Sequence, residues 1–318
     1  MVSLPKKMNP FSRVNNDTGF ATNSSDTGGR FLNKDGSYNI VKVGMPFRKR
    51  FSMFHDMLNL PTWKFITVIF LFYIVINIIF TFIYFGLGTS EFDGLIPGND
   101  WKIFRELLYF STQTITTVGY GHVSPVGDGV NVVAAIEALT GFLSLAIATG
   151  LIYGRFSKPK SYLIFSDDAL ISPYKNGTAL MFRFAGYKDM HSLTDLEVRV
   201  NTGLSLVENG KADYKYFTLD LERTKVESMA MSWTVVHPID EKSPFYGFTE
   251  EDMKNADAEI YVSLRGFDDV FSNYVQQRTS YTYNEILFGR KFIPMFRESD
   301  DGKTTILELH KLNVYKEV

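Results

Sequence analysis

Two long stretches of apolar residues, separated by a shorter mixed one, set the pattern of the first half of the chain. From Phe65 to Phe85 no position is charged, and Asn77 is the most polar residue in the run. At about 1.5 Å per residue, these positions span roughly 31 Å as a helix, which matches the hydrocarbon core of a bilayer. The run starts too far into the chain and is too long to be a secretory signal. A second apolar run extends from about Gly129 to Gly154, interrupted by Asn131, Glu137 and Ser144. A carboxyl group within a span costs about 2.5–3.5 kcal/mol on insertion scales, so Glu137 predicts a helix that lines something wet. Between the two lies Trp101 to Ile115, which is too short to cross a bilayer and return. It predicts a half-crossing helix that leads into a glycine-containing loop covered by protein or water.

The flanking segments follow other periods. From Met45 to Leu60, Phe47, Phe51, Phe54 and Leu58 recur at helical spacing beside Arg48, Lys49 and Arg50. This predicts an amphipathic helix in the membrane interface. Residues 1–44 are rich in Asn, Ser, Asp and Gly and predict a flexible segment, with Tyr38 to Val43 able to add an edge strand. From Tyr162 onward the pattern alternates. Strands are expected at Tyr162–Phe165, Ala179–Phe184, Leu196–Val200, Tyr216–Leu221, Ser232–Val236, Glu259–Leu264 and Thr305–Leu309, with a hairpin turn at Lys175-Asn176-Gly177. Many short strands at this spacing indicate a β-sandwich. The expected organisation is therefore 1–44, a flexible amino-terminal segment; 45–61, an interfacial helix; 62–156, a transmembrane pore domain; 157–161, a linker; and 162–318, a β-sandwich.

Whole-chain averages conceal this division: the mean hydropathy is -0.05 and the net charge -2. Local charge is more informative. Lys42, Arg48, Lys49, Arg50 and Lys64 precede the first span, and Arg155, Lys158 and Lys160 follow the second. By the positive-inside rule both termini face the cytoplasm, in a multi-pass protein of the cell (inner) membrane. The same basic residues form a candidate site for anionic lipid headgroups: Arg48, Lys49, Arg50, Arg155, Lys158 and Lys160. The chain has no cysteine, which excludes disulfides and thiol chemistry, and its five histidines lack metal-ligand spacing. Residues 162–318 contain no phosphate-binding loop and no nucleophile elbow, so neither an enzyme nor a nucleic-acid partner is expected, and no cofactor.

Between the half-crossing segment and the second span stands Thr116-Thr117-Val118-Gly119-Tyr120-Gly121. A potassium ion entering a pore must exchange its water for oxygen atoms at matching distances. Rings of backbone carbonyls from four Thr-Val-Gly-Tyr-Gly loops are an established solution, and this run matches it. K+ as the permeant ion is expected at Thr117, Val118, Gly119 and Tyr120. One such loop cannot enclose an axis, so a homotetramer in a membrane is expected.

Further stretches carry a resemblance. Arg155-Phe156-Ser157-Lys158-Pro159 followed by Leu163-Ile164-Phe165-Ser166 resembles inward-rectifier potassium channels. So does Ser232-Trp233-Thr234-Val235-Val236-His237-Pro238-Ile239-Asp240, followed by Ser243-Pro244 and Tyr246-Gly247; this stretch is similar to the prokaryotic branch in particular. The resemblance implies an α+β membrane protein: two transmembrane helices with a re-entrant pore helix and filter, plus a cytoplasmic immunoglobulin-like β-sandwich. It implies a tetramer and control by an anionic phospholipid or phosphoinositide, which opens animal members and inhibits bacterial ones. It also matches the narrow inner gate to Leu145 and Tyr153. Two departures stand out. The glutamate and arginine that brace the filter in animal members fall at Gln113 and Val123, and the acidic residue of strong rectifiers falls at Leu145. Glu137 is expected to face the pore cavity, with a place behind the filter as the other option. A non-rectifying potassium channel or a potassium-uptake subunit with an unrelated regulator is the alternative function.

Overall fold

Two helices long enough to cross a bilayer dominate the amino-terminal half of the computed structural model, which describes residues 8–16, 30–189, 191–208 and 211–318. Residues 43–158 form one unit, and residues 159–318 with the described parts of 1–42 form another.

The first unit begins with a single helical turn, α1 (Phe47–Arg50), then α2 (Met53–Asn59). The expected interfacial helix is thus split. Ser52 adopts an extended N-cap conformation, and its backbone N–H donates to the Asp56 carboxylate, so a new helix starts there. Pro61 follows and favours an extended Leu60. The outer helix α3 (Thr62–Leu87) stops at Gly88, whose φ is 100°. Strand β1 (Phe92–Asp93), the pore helix α4 (Asp100–Ile115), strand β2 (Ser124–Pro125) and the inner helix α5 (Asp128–Phe156) complete the unit. Asn99 caps α4 by accepting from the Lys102 N–H at 3.0 Å. A small core of Phe80, Tyr84, Phe92, Leu107, Phe110, Val123 and Val130 packs α4 between α3 and α5. Most other apolar side chains of α3 and α5 are exposed in the single chain, as expected of surfaces that meet lipid or further copies.

The second unit is a sandwich of two sheets. Its elements are β3 (Leu163–Phe165), β4 (Ala169–Tyr174), β5 (Gly177–Gly186), β6 (Leu193–Glu208), β7 (Lys211–Thr218), β8 (Lys225–Met229), β9 (Ser232–Ile239), α6 (Glu250–Asn255), β10 (Glu259–Asp268), β11 (Asn273–Thr282) and β12 (Ile286–Phe288). One sheet runs β11-β10-β6-β7, with β8 also on β6; the other runs β12-β4-β5-β3, with β9 also on β5. Alternate residues of facing strands fill the core, among them Leu180, Phe182, Phe184, Val198, Val200, Ile260, Val262 and Leu264. The short strands β13 (Arg290–Phe292), β14 (Phe296–Glu298), β15 (Thr305–Leu307) and β16 (Tyr315–Glu317) form two small ladders. The buried Arg183 guanidinium ties this carboxy-terminal part down by donating to the carbonyls of Ile293, Lys311, Leu312 and Val314.

Composition predicts a flexible segment over residues 1–44; within it, residues 9–15 and 30–38 bond to the sandwich. Leu32 is buried, and the Phe31 and Leu32 N–H groups donate to the buried Glu259 carboxylate. Arg30 and Lys34 both pair with Glu285, and Val14 bridges Phe217. Charged groups and backbone amides supply most of these anchors, and Leu32 and Phe31 add apolar packing against Tyr216 and Tyr261.

Candidate functional site

The loop after α4 has an unusual backbone. Thr117, Gly119 and Gly121 have φ values of 61°, 54° and 78°, while Val118 and Tyr120 between them do not enter the positive range. In a regular strand successive carbonyls point to opposite sides; reversing the hand of every second residue turns them to one side. For Gly119 and Gly121 this conformation is inexpensive. For Thr117 it costs roughly 1–2 kcal/mol, so the surroundings must hold it. The holding groups are visible. The Val118 and Gly119 N–H groups donate to the Gln113 carbonyl at 2.9 and 3.2 Å, and the Thr117 N–H donates to the Thr114 carbonyl at 3.0 Å. The loop therefore hangs from the last turn of α4. Gln113 contributes its backbone to this bracing, and Val123 contributes apolar packing nearby. The negative end of the α4 dipole lies at the inner end of the loop, a favourable arrangement for a cation there.

Glu137 requires a correction. Its exposure is 0% in the single chain, so it does not line a cavity shared between chains. Its carboxyl group accepts from the Tyr84 hydroxyl at 2.5 Å and from the Ser111 hydroxyl at 2.5 Å. Ser111 also lies 3.2 Å from Asn77 Oδ1. One polar cage thus joins α3, α4 and α5. Hydrogen bonds lower the cost of burying these groups below that of an unpartnered carboxyl, which would otherwise need water. Sequence reasoning missed Tyr84, Ser111 and Asn77. A signal existed, because Asn77, Thr81 and Tyr84 share one face of an otherwise apolar helix, and all three are buried.

Leu145 and Tyr153, by contrast, are exposed in the single chain at 64% and 73%. Near Tyr153 the end of α5 meets α2. Arg155 is half-buried, donates to the Met57 carbonyl at 2.8 Å and lies 4.5 Å over the Phe65 ring. Lys158 donates to Asn59 Oδ1 at 2.8 Å, and Leu58 packs on Gly154. Of the expected lipid-contacting residues, Lys49, Arg50, Lys158 and Lys160 are exposed, whereas the side chain of Arg48 lies outside the described residues. No group of His, Asp and Glu suited to a metal occurs among the described residues.

Comparison with known proteins adds independent findings. Residues 163–318 match the model of the inward rectifier potassium channel C-terminal domain, and residues 68–158 match the ion channel model. The chain is 34% identical over 279 residues to the inward rectifier potassium channel Kirbac3.1 of Paramagnetospirillum magnetotacticum, covering 87% of this chain and 92% of that one. It is 26% identical to the ATP-sensitive inward rectifier potassium channel 12 of Gallus gallus, over 89% of this chain and 71% of that one. It is also 26% identical to the inward rectifier potassium channel 18 of Homo sapiens, over 89% and 70%.

Proposed function

The chain belongs to the inward-rectifier potassium channel family, and from that premise we propose that four copies assemble around one axis, select K+ at Thr116–Gly121 and open at the inner helices. The family consists of membrane channels, not enzymes, and K+ is the permeant ion. The observation that carries the reading is the alternation of backbone hand at Thr117, Gly119 and Gly121, which suits carbonyl rings facing one axis. Each chain supplies one face of such a ring, and the exposed Val118 and Tyr120 leave room for neighbouring copies.

In this reading Leu145 and Tyr153 form the narrow inner constriction. The exposed Lys49, Arg50, Lys158 and Lys160 meet anionic headgroups at the cytoplasmic leaflet of the cell membrane, where both termini lie. Arg155 takes a different part, holding the interfacial helix to the inner helix. With Glu137 withdrawn from the cavity and Leu145 apolar, α5 offers no carboxylate below the loop to hold a blocking cation. Shallow rectification is the consequence, and this observation favours the weakly rectifying or non-rectifying variant of the function.

The test is reconstitution of the full chain into liposomes, measuring K+ and Na+ flux with and without phosphoinositide and determining the mass of the assembly. K+-selective flux from a tetramer, inhibited by phosphoinositide, is expected. Equal K+ and Na+ flux, or flux from a monomer, would reject the reading.

A further inference from the structure

Glu137 has a role that neither charge concentration in a cavity nor packing alone explains. On α5, Glu137 and Gly141 are four residues apart and share a face; on α4, so do Ser111 and Ile115. The two pairs meet in register. Glu137 accepts from Ser111, and a Cβ added at Gly141 would overlap the Ile115 carbonyl, 2.1 Å away. The inner helix therefore touches the pore helix along one seam, with a polar bond at one end and backbone against backbone at the other. The seam ends where the loop begins: Gln113 and Thr114 belong to the same last turn of α4 as Ile115, and their carbonyls hold the N–H groups of Thr117, Val118 and Gly119. From the far side Tyr84 reaches the same carboxyl group, its ring held by edge contacts with Phe92 and Phe110 at 5.5 and 5.3 Å.

We propose that Glu137 is a positioning residue for ion selection, fixing the depth and rotation of the pore helix through Ser111 and Tyr84 and thereby the carbonyl geometry of the Thr117–Gly121 loop. The proposal rests on the channel reading above. A sliding or rotating α4 would carry the Gln113 carbonyl with it and change the spacing of the oxygens that replace an ion's water. Selection in a carbonyl filter depends on the size of the oxygen cage and on the number and field strength of its carbonyls, and both follow the placement of the loop. Glu137 touches no ion itself and acts only through the pore helix.

The experiment compares K+-over-Na+ permeability and internal Mg2+ block in tetramers of the parent protein, Glu137→Gln, Glu137→Ala and Ser111→Ala. Glu137→Ala and Ser111→Ala are expected to lower the permeability ratio by about tenfold, the lower end of what losing an orienting outer partner costs an ion site. Glu137→Gln, which still accepts one hydrogen bond, should retain most of the ratio. Mg2+ block should be alike in all four. Tyr84→Phe removes one donor at nearly constant volume and serves if the alanine variants do not assemble; it too should lower the ratio. An unchanged ratio in assembled variants of a K+-selective parent overturns the proposal and leaves the channel reading intact. A parent without selectivity rejects both. Reduced Mg2+ block with unchanged ratio would return Glu137 to the cavity.

Discussion

The Arg155 guanidinium donates to the carbonyl of Met57 at 2.8 Å and covers the ring of Phe65 at 4.5 Å. Met57 lies in the last turn of α2, where carbonyls have no partner within the helix. A residue from the C-terminal end of α5 thus completes the end of α2. A charged hydrogen bond of this kind is worth about 1.5–3 kcal/mol, enough to move the two helices together. Arg155→Ala should therefore disconnect them and flatten the dependence of K+ flux on the fraction of phosphoinositide in the vesicle. Arg155→Lys keeps the charge but not the planar fork, and should restore only part of that dependence. A full lipid response in Arg155→Ala would show that the coupling runs elsewhere.

Replacing Gly119 with Ala should abolish selective K+ flux without dissolving the assembly. Its φ of 54° lies where a Cβ is disfavoured, and nothing else in the chain lies within 4 Å of that Cβ. The obstacle is the backbone itself, about 1–2 kcal/mol per chain. Gly121, at 78°, should behave alike. Retained K+-over-Na+ selectivity in Gly119→Ala would count against the loop as the filter.

Several features were legible in the residues and several were not. The two spans and the half-crossing helix were legible because uncharged length leaves few alternatives: α3 (Thr62–Leu87) covers the Phe65–Phe85 run, and α4 (Asp100–Ile115) begins one residue ahead of Trp101. The Lys175-Asn176 hairpin was equally clear, with Tyr174 opposite Gly177. β11 escaped notice because Asn273, Gln276, Gln277 and Arg278 make it polar, while pairing with β10 supplies what its side chains do not. β4 escaped because Ala169 to Ser172 are all buried and show no alternation. The misplacement of Glu137 has a geometric cause. Helical periodicity fixes the angle between Glu137, Leu145 and Tyr153 but not the rotation of the helix as a whole. That rotation is set by Ser111 and Tyr84, which lie on other helices.

His237 gives the sandwich a pH dependence. Its Nδ1 donates to the Asp220 carbonyl at 2.6 Å, so the neutral ring's Nε2 accepts from the Ser243 hydroxyl at 2.8 Å. Burial holds its pKa below the ordinary histidine value, outweighing the opposing pull of Asp220 and Asp240. The unfolded chain then binds the proton first as pH falls. The stability that His237 contributes is complete above an ordinary histidine pKa of about 6.5 and is lost as pH drops from there toward the lower folded value, by at most about 1.4 kcal/mol per pH unit. Thermal unfolding of the solubilised chain, followed through its strand signal, should shift to lower temperature between about pH 7.5 and pH 5.5. In His237→Gln the midpoint should be lower throughout but flatter with pH. An equally steep shift in that variant would assign the effect to another group.

Two glycines decide where the inner helix bends. Leu145 and Tyr153 are eight residues apart, about 80° around a straight helix, so both cannot face one axis unless α5 tilts or bends. Gly141 and Gly150 are the two candidate positions, and their surroundings differ. At Gly141 the Ile115 carbonyl occupies the space a Cβ would need, and the helix is fixed there against the pore helix. At Gly150 nothing lies within 4 Å of an added Cβ. Bending at Gly141 would tear the seam that carries the loop, whereas bending at Gly150 leaves it whole. Gly150→Ala should fold normally and favour the continuous helix by about 1 kcal/mol per chain, the ordinary difference between the two residues in a helix. Because α5 is continuous from Asp128 to Phe156 here, that bias holds the inner helices in the present form, and Gly150→Ala should lower the fraction of time the pore changes state in single-channel records. Gly141→Ala should instead damage selectivity or assembly, through the clash with Ile115. Altered gating with intact selectivity in Gly141→Ala, together with unaltered gating in Gly150→Ala, would move the bend to Gly141 and reverse the assignment.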